Sequence, residues 1–230
     1  MTSDTLMINE VFHSIQGEST WAGRPCVFVR LTGCHLRCQY CDTEYAFHEG
    51  SRWSLDDLLD KVERIGRGCR LVEVTGGEPL LQANVHPLMG RLCDRGYTVL
   101  IETSGTLDIT SCDVRVNRIV DLKTPGSGAC DQNHWANLDR LTARDEVKFV
   151  LTDRADYEWS RDVIQRHGLT RRAGAVLLSP VHPMDPGAEL PGIGGLDLHD
   201  LAQWALADGL DVVVQPQLHK LIWHPTARGV

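Results

Sequence analysis

Three cysteines, Cys34, Cys38 and Cys41, lie close together at CxxxCxxC spacing. Thiolates are soft ligands that select iron–sulfur clusters, zinc or copper(I). Three thiolates are one fewer than a structural zinc site or a fully ligated [4Fe-4S] cluster requires. A [4Fe-4S] cluster held by these cysteines would leave one iron open to a ligand that carries an amine and a carboxylate. The spacing also allows a zinc site completed by His35 or by a distant ligand, or three small buried side chains.

Two other segments carry polar groups beside apolar runs. The segment TGGEP at 75–79 follows a short apolar stretch. Its two glycines would let the backbone approach a ligand closely, and Glu78 adds a negative charge. Arg30 lies inside the apolar run at 27–31. A charge in such a run must be paired or must face a polar cavity, so the sequence predicts that Arg30 binds an anion.

The elements that would carry these groups alternate along the chain. Apolar runs predict strands, and apolar residues at helical spacing predict helices, the first of them opened by a capping box at Ser54 and Asp57. The pattern favours a partial (β/α)6 barrel of the TIM type, formed as one domain over 1–230, with the polar loops at the carboxyl ends of the strands. The predicted strands are 7–12, 26–32, 71–74, 97–101, 119–123, 147–151, 175–178 and 212–214, and the predicted helices are 55–65, 84–95, 154–167 and 196–207.

Size and composition limit the function classes. The chain has 230 residues, of which 42% are hydrophobic and 23% charged, as is ordinary for one globular domain. The net charge of −8 argues against a broad surface for nucleic acid or anionic membranes. No apolar run reaches membrane-spanning length, and the first residues lack the basic and apolar parts of a signal peptide. We therefore expect a cytoplasmic protein in which the other five cysteines are free thiols.

The cysteine segment, with the aromatic Tyr40 just before Cys41, resembles the signature of the radical S-adenosylmethionine (SAM) superfamily, and TGGEP resembles its GGE motif. Further motifs resemble the 7-carboxy-7-deazaguanine synthase family, in the same order and along almost the whole chain. These motifs are SIQGE at 14–18, GRP at 23–25, FVR at 28–30, ETSG at 102–105 and QLHK at 217–220.

The resemblance implies a reaction and its cofactors. The family converts 6-carboxy-5,6,7,8-tetrahydropterin to 7-carboxy-7-deazaguanine with release of ammonia, on the way to queuosine and other 7-deazapurines. A [4Fe-4S] cluster reduces bound SAM, which splits into methionine and a 5′-deoxyadenosyl radical. This radical takes hydrogen from C6 of the pterin, and the hydrogen later returns. The family also uses Mg²⁺, commonly a flavodoxin as electron donor, and a homodimeric assembly, with no nucleic-acid or membrane partner.

The resemblance also assigns roles to individual residues, each by its place in a matching motif. Cys34, Cys38 and Cys41 would bind the catalytic cluster, and Thr43 would bind Mg²⁺. The pterin would contact Ile15, Gln16, Gly17, Glu18, Arg30, Thr75, Gln217 and His219, with Val230 at the end of a C-terminal tail that closes the site. SAM would contact Tyr40, Gly77, Glu78, Glu102, Ser104 and Lys123, and its adenosine part would contact Ser179, Pro180, Val181 and His182.

Two features depart from the family pattern, and two other functions stay open. Asp121-Leu122-Lys123 stands where the family often has Ser-Pro-Lys, which keeps the lysine but changes the residues that lead to it. The glycine- and proline-containing segment 183–195 predicts a surface insertion. A radical SAM activase that forms a glycyl radical on a partner shares the cysteine and GGE motifs, but it needs no pterin site. A zinc-stapled binding module without redox chemistry is the other alternative.

Overall fold

A computed structural model describes residues 4–183 and 185–230, so Met184 in the predicted insertion lies outside the described residues. The strands are β1 (Thr5–Ile15), β2 (Pro25–Leu31), β3 (Ser51–Ser54), β4 (Leu71–Gly76), β5 (Thr98–Thr103), β6 (Asn117–Asp121), β7 (Glu146–Leu151), β8 (Ala175–Pro180) and β9 (Val213–Val214). The helices are α1 (Leu55–Gly66), α2 (Val85–Asp94), α3 (Arg154–His167), α4 (Leu169–Arg172), α5 (Leu198–Ala207) and α6 (Leu218–Ile222).

The strands form one sheet in the order β3-β1-β2-β4-β5-β6-β7-β8-β9. From β2 to β9 the neighbouring strands run parallel, which confirms the predicted parallel sheet. β1 and β3 extend one edge as antiparallel strands. Strands β4 and β7 are buried along nearly their full length, as is typical of parallel strands that are covered on both faces.

Helix α1 follows directly from its sequence pattern. Its Ser54 cap accepts a hydrogen bond from Asp57 N at 3.1 Å, as the capping box predicts. The apolar stripe of α1 is buried in one cluster with side chains of β1, β2, β4, β5 and α2. The buried residues of this stripe are Leu55, Leu58, Leu59 and Val62. Burial of such a stripe against a sheet supplies most of the stability of a helix this short.

The alternation of strand and helix is incomplete. The four predicted helices form, but the segments 104–116 and 122–145, which the structure describes in full, contain no α-helix. Serine, threonine, aspartate and glycine dominate the first of these segments, and such residues favour turns over helix because they bond to nearby backbone. Asn137 holds this segment by donating to Gly105 O at 3.2 Å and to Leu107 O at 2.9 Å. Strand β3 was not predicted, because its sequence SRWS is polar.

Loops from both ends of the parallel strands approach the same interior. The loops after β2, β4, β5, β6 and β8 lie at carboxyl ends, as predicted. The loop 16–24 instead joins antiparallel β1 and β2, so it lies at the amino end of β2. This loop reaches the amino end of β7, where Thr20 N donates to Glu146 Oε2 at 3.1 Å. The loop therefore lies at the amino ends of the parallel strands, and the cysteine segment lies at their carboxyl ends.

The described part of the segment 183–195 is mostly exposed and packs beside the cysteine segment. Glu189 Oε2 accepts a hydrogen bond from Arg37 Nε at 2.7 Å, and Glu189 Oε1 lies 2.6 Å from His48 Nε2. The predicted surface insertion is thus attached to the loop that carries the cysteines.

All eight cysteines lie among the described residues, and none of them forms a disulfide. Among the described residues, no helix combines the length and the apolar character that crossing a membrane requires.

Candidate active site

One cavity of about 240 Å³ contains most of the residues that the sequence assigns to chemistry. Its lining includes the three cysteines, all of the predicted pterin residues and most of the predicted SAM residues. These are Ile15, Gln16, Gly17, Glu18, Arg30, Cys34, Cys38, Tyr40, Cys41, Thr43, Thr75, Gly77, Glu102, Ser104, Lys123, Val181, His182, Gln217, His219 and Val230. Glu78, Ser179 and Pro180 do not belong to the lining, although each lies within two residues of a residue that does.

The three cysteines line this cavity beside an apolar cluster. Leu36, Cys38, Tyr40, Ala129 and Val181 form the cluster, and Cys34 and Cys41 pack against it. Gly77 lies so close to the cysteine segment that an added Cβ would collide with the backbone of Gly33 and the side chain of Cys34. Glu78 N also donates to Gly33 O at 2.9 Å. The GGE loop and the cysteine loop are therefore held in direct contact, which only glycine at position 77 permits.

Glu78 is fully buried and organises the loop that follows β5. Its carboxylate accepts hydrogen bonds from Thr103 Oγ1 at 2.9 Å, Ser104 N at 2.7 Å and Leu80 N at 2.9 Å. Ser104 Oγ also donates to it at 2.5 Å. These bonds fix Thr103 and Ser104, which both line the cavity. A direct contact between Glu78 and SAM stays a prediction, as do those of Ser179 and Pro180.

Lys123, Asp121 and Tyr40 form a second buried group near the cysteines. Lys123 Nζ lies 2.9 Å from Asp121 Oδ2 and 5.8 Å from the centroid of the Tyr40 ring. Burial opposes a charged lysine, but Asp121 and Tyr40 raise the pKa of Lys123 well above its usual value. Lys123 therefore remains a cation in the cavity, where it favours anionic ligands.

The predicted pterin residues lie where the loop 16–24 meets the C-terminal segment. Leu218 N donates to Gly17 O at 2.8 Å. The His219 ring packs so closely on Gly17 that an added Cβ there would collide with the imidazole. The first and last predicted pterin motifs, SIQGE at 14–18 and QLHK at 217–220, thus pack directly against each other, although they lie near opposite ends of the sequence.

Glu18 is the charged member of this group. Its Oε1 accepts a hydrogen bond from Gln217 Nε2 at 2.8 Å, and its Oε2 lies 2.7 Å from Lys148 Nζ. Burial would raise the pKa of Glu18, but Lys148 and His219 lower it to about 2. The carboxylate is therefore ionised near neutral pH and can accept N–H donors from a ligand.

Arg30 reaches the cavity from β2, as the sequence predicts for a charge in an apolar run. Its Nε donates to Glu10 Oε1 at 2.8 Å, and Tyr45 Oη donates to the same oxygen at 2.9 Å. The guanidinium carbon lies 5.7 Å from the centroid of the Phe12 ring. A guanidinium has five N–H donors, and the bond to Glu10 uses one of them, so donors remain for an anion.

Asp42 connects the cysteine segment to the C-terminal segment. Its Oδ2 lies 2.6 Å from Lys220 Nζ, and its Oδ1 accepts a hydrogen bond from Thr43 Oγ1 at 2.8 Å. Burial would raise the pKa of Asp42, but Lys220 and Thr43 hold it well below its usual value. Thr43 is thus fixed at the edge of the cavity by an ionised neighbour.

Known proteins match the chain over nearly its full length. The sequence profile of the radical SAM superfamily matches residues 28–174. A 7-carboxy-7-deazaguanine synthase of Koribacter versatilis is 46% identical over 227 residues, which cover 98% of this chain and 100% of the relative. A synthase of the same name from Chlorobaculum tepidum is 43% identical over 232 residues, which cover 100% and 99%. The chain belongs to the 7-carboxy-7-deazaguanine synthase family of radical SAM proteins.

A solved structure shares the fold of this synthase family member. The crystal structure of QueE from Escherichia coli matches with a TM-score of 0.69, covering 94% of this chain and 95% of that chain. The two sequences are 23% identical, so the match bears on the fold alone. It confirms the predicted partial barrel of the radical SAM type.

The cysteine segment of this synthase family member fits a [4Fe-4S] cluster, which membership in the radical SAM superfamily implies together with SAM. Burial raises the pKa of Cys38, and it raises that of Cys41 to about 12. A bound metal deprotonates a coordinating thiol outright. Among the described residues, no three His, Cys, Asp or Glu side chains form a group that could hold a single metal ion. Cys34, Cys38 and Cys41 would hold the cluster, because all three line the same cavity and thiolates are the ligands that iron–sulfur clusters take.

The cavity also contains polar residues that have no predicted role, among them Asp42, Tyr45, Glu73, Lys148 and Lys220. Glu73 and Lys148 are charges inside apolar strands, which is the signal that identified Arg30. Asp42 follows Cys41 directly, and Lys220 ends the QLHK motif, so both stand in motifs that the sequence offers. Tyr45 has no comparable signal, because its role depends on the fold bringing it to Glu10.

Proposed function

We propose that the protein is a 7-carboxy-7-deazaguanine synthase, which converts 6-carboxy-5,6,7,8-tetrahydropterin to 7-carboxy-7-deazaguanine and releases ammonia. The relatives at 46% and 43% identity carry that name. The observation on which the proposal depends is that one cavity joins the three cysteines to Arg30 and Glu18. The cysteines suit a cluster that binds SAM, and Arg30 and Glu18 suit a substrate with both a carboxylate and N–H donors.

The protein's own residues bind and orient the two ligands. Arg30 pairs with the substrate carboxylate through its guanidinium, while Glu18 and Gln217 face the ring N–H and carbonyl groups. Phe28 supplies an apolar wall that is supported by stacking on Phe12, with ring centroids 4.9 Å apart. When bound, the cluster and SAM supply the one-electron chemistry that begins the reaction. The surrounding side chains hold the pterin in one pose and exclude water from it.

Thr43 is proposed as a ligand of Mg²⁺. Its hydroxyl lies at the cavity and donates its proton to Asp42. A hydroxyl has one proton and two acceptor lone pairs, so this donation leaves lone-pair density on the oxygen for a cation. Mg²⁺ commonly takes few protein ligands and completes its shell with substrate and water. The substrate carboxylate would be the second ligand.

Two partners are proposed on the family resemblance alone. A small electron-transfer protein such as a flavodoxin would supply the electron that reduces the cluster. A second copy of the chain would form a homodimer.

Anaerobic reconstitution tests the proposed function. The protein is loaded with iron and sulfide, mixed with SAM, dithionite and the carboxy-tetrahydropterin, and the products are identified by mass. We expect a brown protein with about four irons, together with 7-carboxy-7-deazaguanine and ammonia. A colourless protein with one zinc, or SAM cleavage without conversion of the pterin, would show that the proposal is wrong.

Cys38→Ala serves as the matched negative variant. Loss of one cluster ligand should abolish SAM cleavage and product formation, because no open iron remains in a defined position. Cys93→Ala changes a partly buried cysteine of α2 that lies outside the cavity, and it should retain both activities. Normal deoxyadenosine formation by the Cys38 variant would refute the cluster assignment.

A further inference from the structure

Lys148 is a buried cation that joins three carboxylates inside the cavity. Its Nζ lies 2.7 Å from Glu18 Oε2 and 3.8 Å from Asp121 Oδ2, and it forms an ion pair with Glu102. The side chain of Lys148 is only 5% exposed. The carboxylates come from the loop after β1, from β5 and from β6, while Lys148 lies on β7. One ammonium group therefore connects four separate parts of the fold.

The charges in this group depend on one another. Burial alone would lower the pKa of Lys148, but Glu102, Glu18 and Asp121 raise it well above its usual value. Asp121 has a second cation, because Lys123 Nζ lies 2.9 Å from it. Glu18 and Glu102 have no second lysine or arginine among the ion pairs of the described residues. Their counter-charge is therefore Lys148.

The two glutamates are held in the same manner. Glu18 places one oxygen on Lys148 and accepts a bond from Gln217 Nε2 at 2.8 Å on the other. Glu102 also places one oxygen on Lys148, and its other oxygen lies 3.4 Å from Thr75 Oγ1. The neutral donors Gln217 and Thr75 are both residues that the sequence assigns to the pterin. Lys148 thus supports two carboxylates that both line the cavity and that each contact a predicted pterin residue.

We propose that Lys148 is a positioning residue for substrate binding, which orients the Glu18 carboxylate toward the N–H donors of the pterin ring. The inference rests on the proposed function, because it takes the pterin as the substrate. The aminopyrimidinone edge of a pterin presents neighbouring N–H groups, and an ionised carboxylate accepts such a pair in two parallel bonds. Lys148 itself is already paired with carboxylates of the protein, so it acts on the pterin through Glu18.

A change at Lys148 should make pterin binding depend on pH through Glu18. The groups that face Glu18 are Lys148 from β7, His219 and Gln217 from the C-terminal segment, Glu102 from β5, and Glu73 from β4. Without the ammonium, burial and the two neighbouring glutamates favour a protonated Glu18. A protonated carboxyl accepts N–H donors poorly, so the substrate should bind weakly at low pH and better as the pH rises.

The experiment compares Lys148→Met and Lys148→Arg with the wild type, each in the cluster-loaded form. Lys61→Met is the control, because Lys61 lies on α1 outside the cavity. The KM for the pterin is measured between about pH 6 and about pH 8.5, where a buried glutamate without its cation is expected to titrate. Deoxyadenosine formation without the pterin is measured in parallel, because it reports on the cluster and SAM alone.

For Lys148→Met we expect a KM that is raised about tenfold or more at the acidic end and falls as the pH rises. Lys148→Arg should stay within about threefold of the wild type, because it keeps the charge. The wild type and Lys61→Met should show a KM that is nearly independent of pH. Deoxyadenosine formation without the pterin should change less than about twofold in Lys61→Met, and its level in the Lys148 variants measures any separate effect on SAM through Glu102.

An unchanged KM in Lys148→Met, or a raised KM that does not vary with pH, overturns the inference alone if the wild type converts the pterin. A wild type that cleaves SAM but does not convert the pterin overturns the proposed function, and the inference with it. If Lys148→Met does not fold, Lys148→Gln replaces it. That variant keeps a hydrogen-bond donor at position 148 but not the charge, so it still leaves Glu18 without its ammonium. The same pH-dependent KM is expected, and a pH-independent one contradicts the inference.

Discussion

At the scale of single residues, Arg30 lies at the proposed substrate end of the cavity and is held there by Glu10. It lies on β2 with its side chain 17% exposed, and Glu10 accepts a bond from its Nε at 2.8 Å. Because Glu10 also accepts a bond from Tyr45 at 2.9 Å, removal of Arg30 would leave Glu10 with one hydrogen-bond donor. The guanidinium therefore carries both an internal ion pair and the proposed contact with the substrate carboxylate.

We predict that Arg30→Ala raises the pterin KM about 30-fold or more, because the partner of a buried carboxylate is removed. The pterin KM of Arg30→Lys should lie between those of the wild type and Arg30→Ala. Lysine keeps the charge but lacks the planar guanidinium group, which can form two parallel hydrogen bonds. Steady-state kinetics at saturating SAM would measure this. Arg91→Ala is the control, since Arg91 lies on α2 and pairs with Asp56 outside the cavity. Wild-type kinetics in Arg30→Ala would remove Arg30 from the substrate site.

Glu73 is a buried carboxyl on β4 that is 3% exposed and accepts a hydrogen bond from Gln16. Burial raises its pKa well above the usual value, and Glu102 and Glu18 raise it further, against Lys148 and Arg30. The folded state therefore holds the Glu73 proton to a higher pH than the unfolded chain does. Its contribution to stability is complete below the ordinary glutamate pKa of about 4.3 and is lost as the pH rises through the folded value.

We predict that the free energy of unfolding falls less in Glu73→Gln than in the wild type between about pH 5 and about pH 8. A glutamine cannot ionise, so this variant lacks the slope of up to about 1.4 kcal/mol per pH unit that one bound proton contributes. Urea unfolding at several pH values would measure the free energy of unfolding of both proteins in the same cluster-loaded form. Glu63→Gln, on the exposed face of α1, is the control. A constant difference between Glu73→Gln and the wild type at every pH would contradict the prediction.

The sequence predicts the motif residues of the site better than it predicts the residues that hold them in place. Arg30 was identified because a charge in an apolar strand needs a partner, and the structure gives it Glu10. Lys148 and Glu73 carry the same signal, but neither stands in a recognised motif. Their partners come from other strands and loops, so their roles depend on the register of the sheet, which a single sequence does not specify.

At the scale of secondary structure, α1 is the element whose sequence signals are most complete. Ser54 Oγ accepts a bond from Asp57 N at 3.1 Å and donates to Asp57 Oδ2 at 2.6 Å. We predict that Ser54→Ala lowers the free energy of unfolding by about 1 kcal/mol, with unchanged kinetics because α1 lies outside the cavity. Urea unfolding would measure the change, with Ser111→Ala in an exposed turn as the control. A cost no larger than that of the control would show that the cap contributes nothing.

Where the sequence lacked such signals, the elements differ from the prediction. The segment 104–116 sits in the place of a crossover helix, yet Asn137 and Glu78 hold its beginning as an irregular loop. Strand β3 pairs with β1 through backbone bonds, from Thr5 opposite Ser54 to Ile8 opposite Ser51. Its polar sequence gives no period-2 pattern, because an edge strand of this kind is stabilised by pairing and not by burial.

At the scale of the whole molecule, the cavity is formed by segments that are far apart in sequence. The loop 16–24 closes the sheet interior from the amino ends of the strands, and the cysteine segment lies at the carboxyl ends. The tail at 225–230 completes the lining. Arg228 attaches this tail, because its guanidinium carbon lies 3.8 Å from the centroid of the Tyr45 ring and its Nη1 lies 2.8 Å from Glu49 Oε2.

The tail is connected through Tyr45 and Glu10 to Arg30, so its attachment should affect the substrate more than SAM. We predict that Arg228→Ala raises the pterin KM about tenfold, which corresponds to the loss of one exposed cation–π contact and one surface ion pair. Deoxyadenosine formation without the pterin should stay within about twofold, because the contacts of Arg228 are with Tyr45 and Glu49 and not with predicted SAM residues. Arg144→Ala, at an exposed position outside the cavity, is the matched control. Equal losses in both assays would mean that the tail supports the whole site, and no change in either would mean that its attachment does not depend on Arg228.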